Sequence, residues 1–465
     1  MAVIIQQQLF SWDEIDASSD LNRLKLALNF LPDEKLVQRL EKKRGRGRDT
    51  YPIRAMWNAV IAGVVLQHPS VESLLRELRR NAELRALCGF NTFRGSRAVP
   101  TPWAMSRFMK SVVEEEKLIR EIFEELVDQA KKLLPDLGSE LAFDGKAIRS
   151  FSTGHKDRDT GKTSDPDADW GRKSYSGIDS QGKPWEKIMK WFGYQLHLIV
   201  DANHELPLAF EVERASTSEA TRLLPMVKDL TLRHPEIGES AETLVADRGL
   251  DSAEINRDLL DDYNIKPVID TRALWREEKG EQGRNPEKTT SRPLVPSRVD
   301  TLVYTERGSV KCICPVSGVE TDMAFWGFES DRQTLKYRCP AAAYGVYCPG
   351  RTQCELLAPK TPGPYGRIVR VPLKNNRRIF TPIPRDTPKW QRLYAKRTSV
   401  ERVNSRIETS FGFDRHNIRG MKKMRMRVGL ALAIMMAMAV GFISEGKPEF
   451  MRSLVMNPRG KPRAA

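Results

Sequence analysis

Two aspartates occupy positions where carboxylates could bind divalent metal ions. Asp144 ends the apolar run LAF and precedes Gly145, and Asp247 ends the run LVA and precedes Arg248. A single aspartate at the end of a strand usually caps a turn. Two of them on apolar strands of one sheet favour a shared metal site, because carboxylate oxygens are the ligands that Mg²⁺ and Mn²⁺ prefer.

Glu401 could supply a third carboxylate. Tyr394, Arg397 and Glu401 are spaced three and four residues apart, so we expect them to share one face of a helix. A surface ion pair between Arg397 and Glu401 is the simplest alternative. In a site, Arg397 could hold a phosphate through its planar fork and Tyr394 could stack on a flipped base. Core packing of Tyr394 is an equally good interpretation.

Three carboxylates of this kind are suited to breaking and joining phosphodiester bonds. The reaction needs a nucleophilic attacking oxygen and a stabilised leaving oxygen, and two metal ions about 3.5 to 4 Å apart serve both. We therefore expect two Mg²⁺ or Mn²⁺ ions at Asp144, Asp247 and Glu401. No histidine is required, and His197 is expected to be a packed strand residue.

At these residues the chain resembles the DDE transposases of bacterial insertion sequences. The first Asp of that family lies in a DG context, matched by FDGKAI, and the second in an ADRG context, matched by VADRGLDS. The Glu lies in a Tyr-x2-Arg-x3-Glu signature, matched by YAKRTSVE. In one large branch a Lys follows seven residues after the Glu, where this chain has Glu408. The resemblance covers most of the chain.

The resemblance implies an RNase H-like fold, Mg²⁺, and Asp144, Asp247 and Glu401 as catalytic residues. It also implies a reaction in which water cuts the transposon ends and the freed 3′-hydroxyl attacks target DNA. Two alternatives stay open: an inactive or domesticated DNA-binding protein, and a nuclease of the same fold that cuts without joining. Joining two ends implies at least a dimer in the DNA complex.

The charge of the chain favours a polyanionic partner. Lys and Arg number 76 against 61 Asp and Glu, which gives a net charge of +15 and a pI near 9.5. Double-stranded DNA fits this excess, although ribosome or membrane-surface association would also explain it. A basic run, Arg415 to Arg427, follows Glu401 and is interpreted as a phosphate-contacting surface or a solvated helix face. The candidate DNA-binding residues are Tyr394, Arg397, Arg248, Lys422, Lys423 and Arg425.

The hydrophobic pattern predicts an α/β protein in five segments. A mixed sheet is expected to form its catalytic core, with an all-helical N-terminal domain and an inserted cysteine-containing subdomain. Ser70 is a predicted helix N-cap, residues 152–181 a predicted surface loop, and Asn203/His204 a predicted hairpin turn. The segments are 1–137 (helical, DNA-binding), 138–272 (first part of the catalytic domain), 273–385 (insertion), 386–445 (catalytic and C-terminal helices) and 446–465 (loose tail).

The insertion holds five of the six cysteines. Four thiolates suffice for a structural Zn²⁺ site, but the spacings do not match a regular pair of CxxC motifs, so reduced packed cysteines are the alternative. The candidates are Cys312, Cys314, Cys339, Cys348 and Cys354.

Several features favour a cytoplasmic bacterial protein that associates with the nucleoid through DNA. The N-terminus has neither the basic region nor the cleavage site of a secretory signal, and the cysteines do not suggest a disulfide framework. The apolar run 428–443 is shorter than the roughly 20 residues that span a bilayer, so a buried helix rather than a membrane contact is expected.

Overall fold

The computed structural model describes residues 19–45, 50–154, 163–178, 183–272, 291–294, 301–357, 366–413 and 415–452. The described residues up to position 133 are mainly helical. They are α1 (Ser19–Phe30), α2 (Glu34–Arg44), α3 (Ile53–Val65), α4 (Val71–Arg80), α5 (Ala82–Cys88), α6 (Pro102–Glu114) and α7 (Glu116–Leu133).

Side-chain caps explain where several of these helices begin. The Ser70 hydroxyl accepts a hydrogen bond from the backbone N–H of Ser73 at 3.2 Å, which confirms the predicted N-cap of α4. Thr101 caps α6 in the same way, with Pro102 at the first helical position, where the missing N–H costs nothing.

A six-stranded mixed sheet follows. The chain runs through β1 (Glu140–Arg149), β2 (Asp169–Ile178), β3 (Pro184–Asp201), β4 (Pro207–Arg214), α8 (Glu219–Arg233), α9 (Pro235–Ser240), β5 (Thr243–Ala246), α10 (Ala253–Asp261) and β6 (Lys266–Ile269). The strand order is β2-β3-β1-β5-β6, and β4 also pairs with β3. The strands β1, β5 and β6 are parallel, whereas β3 is antiparallel to β1, β2 and β4. The predicted mixed α/β core is confirmed.

The strand β2 corrects one prediction. Residues 152–181 were expected to form a loop, but residues 169–178 pair with the first half of β3, from Asp169 opposite Gly193 to Ile178 opposite Pro184. The side chains of residues 183–188 are exposed, so this part of the ribbon lacks the alternation that signals a half-buried strand. The predicted Asn203/His204 hairpin is confirmed between β3 and β4.

Helices cover both faces of the sheet. On one face α8 approaches β1, so that its first-turn side chain Glu219 contacts Gly145. On the other face the ring of Phe210 on β4 lies 5.2 Å from the ring of Phe123 on α7. The His234 imidazole joins α7 to the α8–α9 junction, with Nδ1 2.6 Å from Asp128 and Nε2 2.7 Å from Glu124.

The segment after β6 forms a subdomain with its own core. One sheet has the order β10-β9-β8-β7 and another the order β11-β12-β13. Their buried side chains, among them Val310, Leu335 and Tyr337, form a cluster separate from the main core. The elements are β7 (Arg292–Pro293), β8 (Leu302–Tyr304), β9 (Val310–Ile313), β10 (Glu320–Asp322), β11 (Ala324–Glu329), β12 (Thr334–Arg338), α11 (Pro340–Tyr344), α12 (Arg351–Leu357) and β13 (Ile368–Pro372).

Three helices complete the fold: α13 (Pro388–Ala395), α14 (Thr398–Phe411) and α15 (Met421–Ser444). By length and composition α15 could cross a membrane, and it is the one helix of the described ranges that could. It is buried from Val428 to Gly441 and packs along α7 and α1, as is typical of a core helix.

The single helix expected to carry Tyr394, Arg397 and Glu401 is in fact two. Tyr394 lies in α13, Arg397 in the junction and Glu401 in the first turn of α14. At the junction the backbone hydrogen bonds join residues three apart instead of four. The Thr398 hydroxyl also donates to the Ala395 carbonyl oxygen, and this bond competes with the backbone hydrogen bonds of a continuous helix.

Candidate active site

Asp144 and Asp247 occupy matching positions on neighbouring parallel strands. Phe143 of β1 is in register with Ala246 of β5, and each aspartate is the next residue along its strand. The strand β5 ends there, and the Asp247 carboxylate accepts a hydrogen bond from the Arg248 N–H at 2.8 Å as it caps a short 3₁₀ turn. Asp144 does not end its strand as expected, because β1 continues along β3 after its pairing with β5 stops.

Glu401 faces the same region from α14. Its Oε1 lies 2.8 Å from Nη1 of Arg397, so the predicted Arg/Glu pair is present. Asp144, Asp247 and Glu401 all line one open cavity of about 1150 Å³. Asp144 and Glu401 also line a second cavity of about 740 Å³. The structure therefore brings the three carboxylates to one cavity, with two of them bordering both cavities.

Arg397 is one of the cations that line this cavity. Burial alone would lower its pKa, but Glu401 and Asp247 outweigh burial and raise it. Within the described ranges, no three Asp, Glu, His or Cys side chains are close enough together to hold a metal ion. The carboxylates thus line one cavity with a guanidinium among them, without forming a closed ligand set.

The Asp144 carboxyl has a raised pKa of about 6. Burial is the largest cause, and repulsion from the Glu219 carboxylate adds to it, whereas Lys173 and Arg397 act in the opposite direction. A cation placed beside Asp144 would offset both the burial and the repulsion.

Glu219, Lys173 and Gln195 are residues of this site that the sequence analysis missed. Lys173 Nζ lies 2.8 Å from the Gly145 carbonyl oxygen and 2.8 Å from Glu219 Oε1. Gln195 Nε2 donates to the same Glu219 oxygen at 2.8 Å. Lys173 could not be identified as a site residue, because its segment was interpreted as a loop. Glu219 lies in the first turn of a predicted helix and could have been identified.

Gly145 leaves room for this network. A Cβ at Gly145 would lie 2.5 Å from Gln195 Nε2 and 2.5 Å from Glu219 Oε1, closer than real contacts allow. The glycine after Asp144 is therefore a packing requirement of the site.

Glu408, where a lysine was expected from one branch of the resembling family, pairs with a lysine of another element. Its Oε1 lies 2.6 Å from Nζ of Lys146, which is two residues after Asp144 on β1. Both side chains line the 740 Å³ cavity. This chain thus supplies a lysine near the site from β1 rather than from α14.

The candidate DNA-binding residues fall into two groups. Arg248, Lys422 and Lys423 are exposed. Arg425 instead pairs with Glu213 at 3.2 Å and donates to the Val212 carbonyl oxygen.

Tyr394 also has an internal contact. Its ring stacks on Trp390 with the centroids 4.6 Å apart, and it packs against the main core. His197 is buried and stacks on Phe143, and burial lowers its pKa to about 4, so it is the packed strand residue that was predicted.

The cysteines of the insertion are free thiols near one another. Burial raises the pKa of Cys312 to about 11, and the neighbouring Cys339, Cys348 and Cys354 add to the rise. Cys314 differs, because hydrogen bonds from Ser317 lower its pKa. No three of these thiols lie at metal-binding spacing in the described part of the chain, and the zinc site stays a prediction.

Two models of known protein families match the sequence. A transposase DDE domain matches residues 136–437, and a transposase domain (DUF772) matches residues 13–111. No curated protein matches the sequence. A cryo-EM structure of a piggyBac transposase synaptic complex with hairpin DNA is similar at 12% identity, covering 94% of this chain and 79% of that chain with a TM-score of 0.37.

Proposed function

Because the chain belongs to the DDE transposase family and is therefore a DNA transposase, we propose that Asp144, Asp247 and Glu401 are its catalytic carboxylates. The observation that carries the proposal is their common cavity, reached from two adjacent parallel strands and the first turn of α14. The core strand order β4-β3-β1-β5-β6 with three parallel strands supports the RNase H-like fold that we propose for this core.

DDE transposases generally use divalent metal ions, and for this chain we propose two Mg²⁺ or Mn²⁺ ions. The chemistry of the donors supports this, because three carboxylates border one cavity and the buried Asp144 lies beside a further acid, Glu219, but the three would have to move closer together to hold an ion. When bound, the ions would activate the attacking oxygen and stabilise the leaving oxygen. Glu401 would have to leave Arg397 to take part, which frees the guanidinium for a phosphate.

The proposed reaction has two steps. In the first, the oxygen of water bonds to phosphorus at a transposon end, the bond from phosphorus to the 3′-oxygen breaks, and the proton of water passes to that oxygen. In the second, the oxygen of the freed 3′-hydroxyl bonds to a phosphorus of target DNA, the bond from that phosphorus to its 3′-oxygen breaks, and the hydroxyl proton passes to the leaving oxygen. Arg397 would hold the phosphate that is attacked in each step.

The proposed partner is double-stranded DNA, as transposon terminal repeats and as target. Lys422, Lys423 and Arg248 are exposed and free to contact its phosphates. Arg425 and Tyr394 would first have to leave internal contacts. We also propose a homo-oligomer of at least two chains on DNA, acting at the nucleoid in a bacterial cytoplasm.

The test is cleavage and strand transfer with the full chain, Mg²⁺ and a duplex that carries the DNA flanking the gene. Asp144→Asn, Asp247→Asn and Glu401→Gln should each slow cleavage by about a thousandfold, since several kcal/mol of charge stabilisation is lost. Glu239→Gln, an exposed acid on α9, is the matched control. Equal cutting by wild type and Asp144→Asn would refute the assignment.

Two outcomes separate the alternatives. Cutting without transfer of the 3′-end to a second duplex would favour a nuclease. Duplex binding with no cutting by the wild type would favour a DNA-binding protein without catalysis.

A further inference from the structure

The N-terminal helical region was predicted to bind DNA, but none of its residues was named as a contact. Residues 91–113 contain no Asp or Glu. On α6, Trp103, Arg107 and Lys110 are spaced four and three residues apart and share one exposed face, while Met105 and Phe108 face the core. The Trp103 side chain is 78% exposed, which is unusual for an aromatic residue of this size.

A groove runs beside this face. It has a volume of about 550 Å³ and lies between α3, α4 and α6 on one side and the segment entering α15 on the other. Leu74, Met105 and Met109 give it an apolar floor, and basic side chains lie along it. The basic residues are Lys110, Arg415, Lys423 and Arg427.

The groove has little competing negative charge. Glu114 is the carboxylate that lines it in the described part of the chain, and this residue pairs with Lys43. Lys110 and Lys423 are exposed and form no ion pair with the described residues. The phosphate backbone of a DNA duplex matches these basic walls.

The groove lies next to the 740 Å³ cavity that reaches Asp144 and Glu401, because His416 lines both. An elongated ligand in the groove that extends past His416 would run from α6, past α15, towards the carboxylates.

We propose that this groove holds the DNA duplex next to the phosphodiester that is cut, with Lys110 and Lys423 on its phosphates and Trp103 against its sugar and base edges. The inference rests on the proposed function and deepens it, since it gives the path of the DNA. It also joins the N-terminal helices and α15 in one binding surface.

The test is the salt dependence of binding to a fluorescently labelled 30-base-pair duplex of random sequence, measured by anisotropy without divalent metal. Each phosphate contact contributes about 0.9 to the slope of log K against log salt. K110A/K423A should therefore lower the slope by about 1.8, and K110R/K423R should restore it. K132A/K228A, which removes two exposed lysines at the far end of α7 and on α8, is the matched control and should keep the wild-type slope.

Trp103 provides a second, independent readout. Trp103→Ala should weaken duplex binding at least fivefold, Trp103→Phe much less, and neither should change the sedimentation coefficient of the free protein. An unchanged slope in K110A/K423A overturns the proposal. So does a Trp103→Ala variant that dissociates an oligomer and binds DNA normally, because the face would then be a protein interface.

The two proposals fail separately. If the wild type cuts DNA and the slope of K110A/K423A is unchanged, the proposed DNA path through the groove is wrong and the catalytic assignment is unaffected. If the slope falls as expected and the wild type cuts nothing, the groove stands as a DNA site and the catalytic assignment is wrong.

Discussion

Glu205 anchors the helix that carries Glu401, and its loss should be costly. Its carboxylate is only 3% exposed and pairs with Arg406 and Arg402 of α14, the latter at 2.6 Å and next in sequence to Glu401. Glu205→Gln keeps the size of the side chain and the same positive φ of 55°, so the change removes charge alone.

The magnitude follows from the exposure of the two partners on α14. Arg406 is 15% exposed and would be left as a buried cation, although it keeps its bond to the Glu205 carbonyl oxygen. We expect a loss of about 3 kcal/mol of unfolding free energy, the lower end for breaking a buried pair. Arg402 is 57% exposed, so Arg402→Ala should cost less than about 1 kcal/mol.

The assay is urea unfolding of the full chain by tryptophan fluorescence, paired with DNA cleavage. With a slope of about 3 kcal/mol per molar urea, Glu205→Gln should move the midpoint down by about 1 M. Cleavage should fall about tenfold or more, because a small displacement of α14 moves Glu401. Equal midpoints for Glu205→Gln and Arg402→Ala would refute the view that a buried ion pair positions α14.

Three further predictions use other contacts. Gly145→Ala should abolish cleavage while the fold is retained, as judged by circular dichroism, because its Cβ would displace the Glu219 carboxylate; full activity would contradict this. The carboxylates of Glu124 and Asp128 on α7 outweigh burial and raise the pKa of His234 in the folded protein. Its stabilising positive charge is therefore fully present below the unfolded pKa of about 6.5, and it is lost as pH rises through the higher pKa of the folded state. His234→Ala should therefore cost more stability at pH 6 than at pH 9 in urea titrations, and the reverse order would contradict it. Iodoacetamide at pH 7.5 should label Cys314 before Cys88, because hydrogen bonds lower the first thiol pKa and burial raises the second to about 12; peptide mass spectrometry gives the order, and earlier labelling of Cys88 would contradict it.

Much of the fold was predictable where local chemistry decides the structure. Ser70 caps its helix because a hydroxyl before an amphipathic run satisfies a free N–H. The hairpin at Asn203/His204 lies between two runs of residues with high strand propensity. The two aspartates follow apolar runs that pair as adjacent parallel strands, so their proximity was predictable once both runs were interpreted as strands of one sheet.

What could not be predicted depends on partners distant in sequence. The strand β2 forms by pairing with β3, a partner that its own sequence does not reveal. At the break between α13 and α14, the ammonium of Lys396 reaches Glu140 at 2.6 Å across the fold. The role of Glu219 arises because α8 brings its first turn onto Gly145, 74 residues earlier in the chain.

The position of α15 has a consequence for biosynthesis. This helix ends at Ser444, yet it packs against α1, which begins at Ser19, and it fills the space beside α7 and β4. At roughly 5 to 20 residues per second, a ribosome needs on the order of 20 to 85 seconds to pass from one helix to the other. The apolar faces that α15 covers on the first helices therefore stay uncovered until this helix has been made. A ribosome that stops before α15 releases a protein without a closed core, and such a protein is exposed to degradation.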